Sequence, residues 1–230
     1  AGHDIVPPVP SLFTFSVNDK ALQRLMGTVA KGATAFIPST GYRSSGPLLI
    51  THWGMSGPAI LKLSSHAARF LADYHYQSPL GVNWLSMCDA DVFEALRSIS
   101  LANPQKMVTT VRPFDLSSRL WDYLSGKALG HRVSCRWNEL TRKELNRLAN
   151  ILCNDTYTIN GRAVFKEEFV TCGGISLQSV NSSTLESRHV PNLYFAGEVL
   201  DIDGVTGGFN FQAAWTTAYT VAKSICEKCE

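Results

Sequence analysis

Apolar and polar positions along the chain change period several times, and the changes mark out its parts. Over residues 4–16, Ile5, Val6, Val9, Leu12, Phe13 and Phe15 are interleaved with Pro7, Pro8 and Pro10. Proline removes a ladder donor, so this stretch predicts an extended, edge-type strand. Residues 18–25 predict a short turn or helix. Val29, Ala33, Ala35 and Phe36 then alternate loosely over 27–37, as in a half-exposed strand, and 46–52 reads as another after turn material at 41–45. Short strands separated by turns, without helices among them, predict a small antiparallel barrel or sandwich.

The period then becomes helical. Ile60, Leu63, Ala67, Phe70 and Leu71 predict a helix over 59–74, with Ser56 as N-cap and Pro58 just inside its start. Residues 76–87 return to strand. Over 89–151 three one-faced patterns predict short helices: Val92, Leu96 and Ile99; Leu116, Leu120, Tyr123 and Leu124; then Leu140, Leu145, Leu148 and Leu152. Thr141 followed by Glu144 gives the last of these a capping-box start. Asn160-Gly161 between Tyr157-Thr158-Ile159 and Ala163-Val164-Phe165 predicts a hairpin. Residues 168–175 continue extended, and 182–188 form a polar connector. Finally Leu193-Tyr194-Phe195 predicts a short buried strand, followed by an acidic turn, a glycine pair and an apolar helix of about four turns.

Composition narrows the class. Hydrophobic residues make up 45% and charged residues 17% of 230, which describes a folded chain with a sizeable core. A net charge of +2 is too mild to imply nucleic acid or an anionic membrane as partner. No apolar run is long enough to span a bilayer, and the expected location is the cytoplasm. The six cysteines fit no disulfide framework and are expected as reduced thiols; Cys226-x-x-Cys229 lacks a second ligand pair, so no metal is expected. A Gly-x-Gly-x-x-Gly fingerprint does not occur, so the chain is expected to be part of a longer polypeptide.

Chemistry concentrates at the end of the chain. Gly197 lets the backbone leave the predicted strand sharply, which places Glu198 and Asp201 at a strand's carboxyl end, where open α/β sheets bind ligands. Gly207 and Gly208 ahead of a helix leave backbone N–H groups facing outward with the positive helix end behind them. Carboxylates for sugar hydroxyls beside N–H groups for an anionic oxygen suit a ribose- or ribityl-bearing cofactor. Asp201 either supports the turn or faces the cofactor. Cys172 has no neighbour that signals a lowered pKa and is expected to be structural.

Four blocks in order resemble one family, the HI0933-type (YhiN- or BaiN-like) FAD-dependent oxidoreductases. They are Pro8-x-Pro10-Ser11-Leu12; Leu48-Leu49-Ile50-Thr51-His52-Trp53-Gly54-Met55-Ser56-Gly57-Pro58; Val170-Thr171-Cys172-Gly173-Gly174-Ile175; and Gly197-Glu198-Val199-Leu200-Asp201 followed by Gly207-Gly208-Phe209-Asn210. The pattern departs at Val82-Asn83-Trp84-Leu85 and at Thr216-Thr217-Ala218. The resemblance implies an α+β chain: an antiparallel β-barrel (1–88 and 155–172), an inserted helical cap (89–154), and the C-terminal part of a Rossmann-like FAD-binding domain (173–230). It implies that an N-terminal FAD-binding segment of the same protein is the missing partner.

The resemblance further implies roles for residues. Glu198 would accept hydrogen bonds from ribityl hydroxyls, while Gly207, Gly208, Phe209 and Asn210 would present backbone N–H groups to the pyrimidine edge of the flavin. Gly173 and Gly174 would allow close approach to the flat ring, or serve as a hinge. His52 either supplies a proton near the flavin or pins its turn. The implied activity is hydride transfer through FAD between NAD(P)H or a substrate and a small organic molecule. The isolated chain is expected to be inactive and colourless. The competing reading is a binding module for RNA or protein, using the barrel and the basic cap residues Arg142, Lys143 and Arg147.

Overall fold

The computed structural model describes residues 1–162 and 170–229. In chain order the strands are β1 (Ile5–Ser11), β2 (Phe15–Ser16), β3 (Val29–Phe36), β4 (Arg43–Ile50), β5 (Gly54–Ser56), β6 (Gln77–Asn83), β7 (Asp155–Arg162) and β8 (Val170–Ile175). The helices are α1 (Lys20–Gln23), α2 (Pro58–His66), α3 (Ala68–Asp73), α4 (Asp89–Ala102), α5 (Ser118–Leu129), α6 (Arg142–Cys153) and α7 (Gly207–Cys229). They fall into two compact units: Thr14–Leu63 with Tyr76–Ala163, and Ala1–Phe13 with Ser64–His75 and Val164–Glu230.

The first unit is a closed antiparallel barrel in the order β2-β5-β4-β3-β6-β7, shut where Phe15 of β2 pairs with Arg162 of β7. Closure removes every free sheet edge. Phe15, Leu48, Ile50, Met55, Leu80 and Val82 are buried, as the two-residue alternation of inward side chains requires. The predicted hairpin at Asn160-Gly161 is not a turn. β7 runs straight through it, with Asn160 opposite Gln77 and Gly161 opposite Ser16, so pairing to two neighbours overrides the local turn preference. The second predicted arm, 163–165, lies outside the described residues.

Three helices are inserted between β6 and β7, as the one-faced patterns predict. α6 packs against both α4 and α5 through Leu145, Leu148, Ala149 and Leu152. Its start is the predicted capping box: Glu144 N donates to Thr141 Oγ1 at 3.3 Å, and Thr141 N donates to Glu144 Oε2 at 2.9 Å. Indole rings of Trp121 and Trp137 stack at 6.3 Å inside the subdomain. Fully buried Asp155 opens β7. It accepts hydrogen bonds from Trp84 Nε1 at 3.1 Å and Tyr157 Oη at 2.5 Å, and pairs with Lys127 of α5 at 2.5 Å. That network ties the helical insert to the barrel.

The predicted helix over 59–74 is two helices, broken at Ala67, and it is not capped by Ser56. Ser56 belongs to β5, and its hydroxyl meets Thr14 Oγ1 at 2.9 Å. Gly57 does the capping, its carbonyl accepting from Ile60 N and Leu61 N. Its φ of +90° and the Pro47 carbonyl, 2.8 Å from where a Cβ would stand, leave glycine as the residue that fits.

In the second unit β1 and β8 pair antiparallel as a two-stranded sheet of their own, instead of joining the barrel strands as expected. The register slips between Val6 and Val9, where Pro7 and Pro8 offer no N–H. A small core of Ile175, Val180, Leu185 and Leu200 packs with Phe195, Ile202 and Val221. The predicted buried strand at Leu193-Tyr194-Phe195 makes a single bridge, Glu186 to Tyr194, and Leu200 makes one parallel bridge to Ile175. With a one-residue pairing instead of a ladder, residues 193–195 remain half-buried. α7 is 23 residues long, about six turns against the four expected. Among the described residues, no helix is long and apolar enough to cross a membrane.

Candidate functional site

A cavity of about 230 Å³ lies in the second unit, where the 197–202 segment meets the start of α7. Val170, Gly197, Glu198, Gly207, Asn210 and Phe211 line it. Whole small-ligand sites run to about 300–1,000 Å³, so this one suits part of a large cofactor better than all of it.

Its floor is the turn Gly197–Val199, a single 3-10 turn. Gly197 has a φ of +75° and donates its N–H to Thr217 Oγ1 of α7 at 2.9 Å. Glu198 is exposed, and its Oε1 accepts from Thr171 N of β8 at 2.9 Å. One carboxylate oxygen is therefore used to fix the side chain, which leaves Oε2 for an outside donor. Asp201 donates its N–H to the Ile175 carbonyl, and its carboxylate lies 3.9 Å from Arg69 Nη2. Of its two expected roles, these contacts are those of turn support.

The roof is the first turn of α7. Asn210 clamps the loop before it: Oδ1 accepts from Gly204 N at 2.8 Å, and Nδ2 donates to the Gly204 and Thr206 carbonyls at 2.9 and 2.8 Å. The expected set of four free N–H groups is reduced by this geometry. Phe209 N is directed to Thr206 Oγ1 at 3.5 Å, and Asn210 N to the Thr206 carbonyl at 3.4 Å. Gly207 and Gly208 N–H have no partner among the described residues, and no atom stands nearer than 4.0 Å to where their Cβ atoms would be. Two such donors at the positive end of a six-turn helix form a place for negative charge.

Gly173 and Gly174 have a different reason for being glycine. A Cβ on Gly173 would stand 2.6 Å from the Pro7 carbonyl oxygen, and one on Gly174 would stand 2.5 Å from that of Val199. The close approach they permit is of backbone to backbone: β1 on one side, the 199–200 segment on the other. They hold the cavity's floor in place. His52 belongs to the barrel unit, exposed in the turn before β5, with its ring edge-on to Trp53 at 3.8 Å.

Two groups that the sequence reading passed over sit beside this floor. Asp203 accepts from Ser11 Oγ at 3.3 Å and contacts the Cys172 thiol. Burial raises the Asp203 carboxyl above its usual range, and burial, reinforced by Asp203 and Asp201, raises Cys172. Cys172 is thus a neutral thiol packed inside, in keeping with its structural assignment. Thr217 was also unforeseen; a threonine ten residues into an apolar helix gives no sign of reaching back to Gly197. Cys88, Cys135, Cys153, Cys172 and Cys226 carry free thiols. Among the described residues no group of three or more His, Cys, Asp or Glu is placed to hold a metal ion.

Residues 9–170 match the family model described as "HI0933-like protein barrel and H2TH domain". The chain is 31% identical over 228 residues to a ribosomal RNA dihydrouridine synthase of Haemophilus influenzae, covering 97% of this chain and 53% of that protein. It is 30% identical to the Escherichia coli protein of the same name, with 97% and 54% covered. A 3-dehydro-bile acid delta(4,6)-reductase of Clostridium scindens is 28% identical over 235 residues, with 99% and 56% covered. The chain spans about half the length of these curated relatives. A barrel-and-helix match over more than half of the chain, with the barrel and the inserted helices present in the structure, makes this chain a member of the HI0933-like family.

Proposed function

We propose that this chain supplies the flavin-side half of an FAD-dependent oxidoreductase that reduces a carbon–carbon double bond conjugated to a carbonyl. The observation that carries the reading is the cavity, whose lining includes both Glu198 and Gly207, with the N–H groups of Gly207 and its neighbour Gly208 unpartnered among the described residues. These residues fit the cofactor's chemistry. Glu198 Oε2 would accept from ribityl hydroxyls, with Oε1 anchored on Thr171 N. Gly207 and Gly208 would donate to the electron-rich edge of the ring, and helix α7 behind them would favour negative charge there. A bound FAD supplies two-electron hydride chemistry, with a nicotinamide as the proposed source of reducing equivalents.

The substrate class is inferred from the relatives' names. Dihydrouridine is uridine with one ring double bond reduced, and a delta(4,6)-reductase of a 3-dehydro compound acts on double bonds conjugated to a ketone. Both describe addition of a hydride and a proton across an activated C=C bond. His52 is assigned no step.

The test measures FAD released on denaturation of the purified longer polypeptide and of its Glu198→Ala variant. Expected is a flavin-containing parent whose occupancy falls at least roughly tenfold in the variant, the order of one lost charge-assisted hydrogen bond. Unchanged occupancy would remove Glu198 from the site. This chain alone is expected to purify without flavin. Stoichiometric FAD on it would show the cavity to be a complete site.

A second reading gives the enzyme an RNA substrate, favoured by the exposed Arg142 and Lys143 at the start of α6 and by the two relatives named for ribosomal RNA. Neutralising both should lower affinity for a ribosomal RNA fragment and reduce its salt dependence. Binding that is unchanged by both substitutions counts against it.

A further inference from the structure

Two thiols meet where the helical insert rejoins the barrel. Cys88 is the N-cap of α4 and Cys153 the last residue of α6, and the two helices pack together. Hydrogen bonds hold these two helix ends side by side. Asn154, the residue after Cys153, donates its Nδ2 to both oxygens of Asp89, the residue after Cys88, at 3.0 and 2.9 Å. Trp84 N donates to the Leu152 carbonyl at 2.8 Å, and Asp91 N donates to Cys88 Sγ at 3.5 Å. The Asp89 carboxylate also accepts from the Cys153 thiol. One carboxylate thus follows the first cysteine in sequence and touches the second in space. The thiols differ in access. Cys88 is exposed, whereas Cys153 is 1% exposed and its thiol is pushed up to about 12, first by burial and then by Asp89 and Cys88. A buried cysteine on its own is an inert apolar group. One whose S–H has a carboxylate acceptor, with an exposed thiol adjoining that acceptor, is placed as a resolving partner.

We infer that Cys88 and Cys153 form a peroxide-sensitive dithiol, which closes to a disulfide joining the start of α4 to the end of α6. In the first step the Cys88 sulfur attacks one oxygen of hydrogen peroxide and the O–O bond breaks. The second oxygen leaves with the thiol proton as water, and Cys88 becomes a sulfenic acid. The Cys153 sulfur then attacks the Cys88 sulfur. The S–S bond forms, the S–O bond breaks, and the Cys153 proton passes through Asp89 to the departing hydroxide, which is released as water. Two thiols and one peroxide give one disulfide and two waters, with sulfur oxidised and peroxide oxygen reduced. Burial sets the order, because the oxidant reaches Cys88 and not Cys153. All of these residues belong to the barrel unit, so the inference depends on neither the flavin nor the RNA reading.

The test treats the reduced chain, freed of reductant, with one equivalent of hydrogen peroxide. Acid quenching, alkylation of the remaining thiols and peptide mass spectrometry then map the products without any substitution. Expected is a peptide pair linked through Cys88 and Cys153 within one chain, with both thiols restored by dithiothreitol. Cys88→Ser should slow the loss of the Cys153 thiol at least roughly tenfold, since the buried sulfur has lost its route to the oxidant. Cys153→Ala should leave Cys88 as a sulfenic acid that dimedone captures, while the unaltered chain yields little of that adduct. Four results would each overturn the inference in the unaltered chain: Cys88 unreacted, Cys88 carried on to the sulfinic acid with Cys153 still free, a disulfide from Cys88 to Cys135 or Cys226, or a disulfide between two chains. Loss of the Cys153 thiol at an equal rate in Cys88→Ser would overturn it too, because the buried sulfur would then be oxidised directly.

Discussion

The barrel unit and the α7 region handle large side chains in opposite ways. In the barrel and its helical insert, Trp84, Trp121 and Trp137 are fully buried, and Asp155, the one fully buried carboxylate among the described residues, has three partners. In α7, Phe209, Phe211, Trp215 and Tyr219 are all more than 60% exposed, and the two glycines at the helix start have N–H groups without a partner among the described residues. The residue types are similar, but only one set is packed. A region whose polar groups are paired and whose rings are enclosed is finished as a fold. A region with exposed rings beside unspent donors is shaped for something else to sit on it.

The sharpest way to break this contrast is in the finished part. Asp155→Ala removes the acceptor of Trp84 and Tyr157 and leaves Lys127, which lies 4.3 Å over the Tyr157 ring, without its counter-ion. Breaking a buried pair from one side costs about 3–5 kcal/mol, so urea unfolding should show a loss of that size. A loss below about 1 kcal/mol, the level of a surface pair, would mean that the network contributes no more than exposed ions do. Next in size is Gly174→Ala. The backbone there has a φ of +137° and the Val199 carbonyl leaves no room for a methyl group. Backbone strain of this kind costs about 1–3 kcal/mol, and relief by moving the 199–200 segment would shift Glu198 off Thr171. Unchanged stability would show that the floor of the cavity tolerates displacement.

Thr141→Ala is smaller, at about 1 kcal/mol for a lost N-cap. It carries a pH signature. Hydrogen bonds from the Thr141 backbone and hydroxyl, with Arg132 and Arg147 nearby, hold Glu144 below the usual carboxylate range. A lowered folded value means stability that is present above the unfolded value and lost as pH falls through the folded one. Thr141→Ala removes the hydroxyl and keeps the backbone N–H, and should therefore flatten the acid limb of the stability curve in part. Asp203 runs the other way: its raised value gives a contribution that is greatest in acid and declines as pH rises through it. An acid limb that stays as steep in the variant would place its origin elsewhere.

The barrel, the helical insert and the α6 cap were legible because each is written in neighbouring residues: alternation for strands, one-faced spacing for helices, Thr141 and Glu144 three apart. The misreadings have physical sources. Asn160-Gly161 has turn chemistry, yet pairing with both β6 and β2 keeps it straight. β1 reads as barrel by position, but its partner β8 lies more than 150 residues away, and no local pattern records that pairing. At the candidate site, Gly197, Glu198 and the Gly207-Gly208 pair were legible as a strand end and a helix start. Asp203, Thr217 and the clamping role of Asn210 were not. Asp203 meets Ser11 of β1 and Cys172 of β8, Thr217 meets Gly197 twenty residues back, and Asn210 closes the irregular loop at 204–206, so each acts through a contact that exists only in the folded chain.

The smallest effect is the one that bears most directly on the exposed rings of α7. Trp215→Ala in this chain deletes a ring with 74% of its surface in water. Little burial is lost, no hydrogen bond is broken, and alanine is the better helix former, so the change in unfolding free energy should stay within about 0.5 kcal/mol in either direction. Trp121→Ala, with the same chemistry on a fully buried ring whose Nε1 donates to the Val108 carbonyl, should cost about 3–5 kcal/mol by the same measurement. Two tryptophans, one substitution and one solvent condition then differ in whether the ring is enclosed and its N–H paired. If Trp215→Ala costs 2 kcal/mol or more on that scale, α7 is covered in this chain after all, and the distinction between a finished and an awaiting region no longer holds.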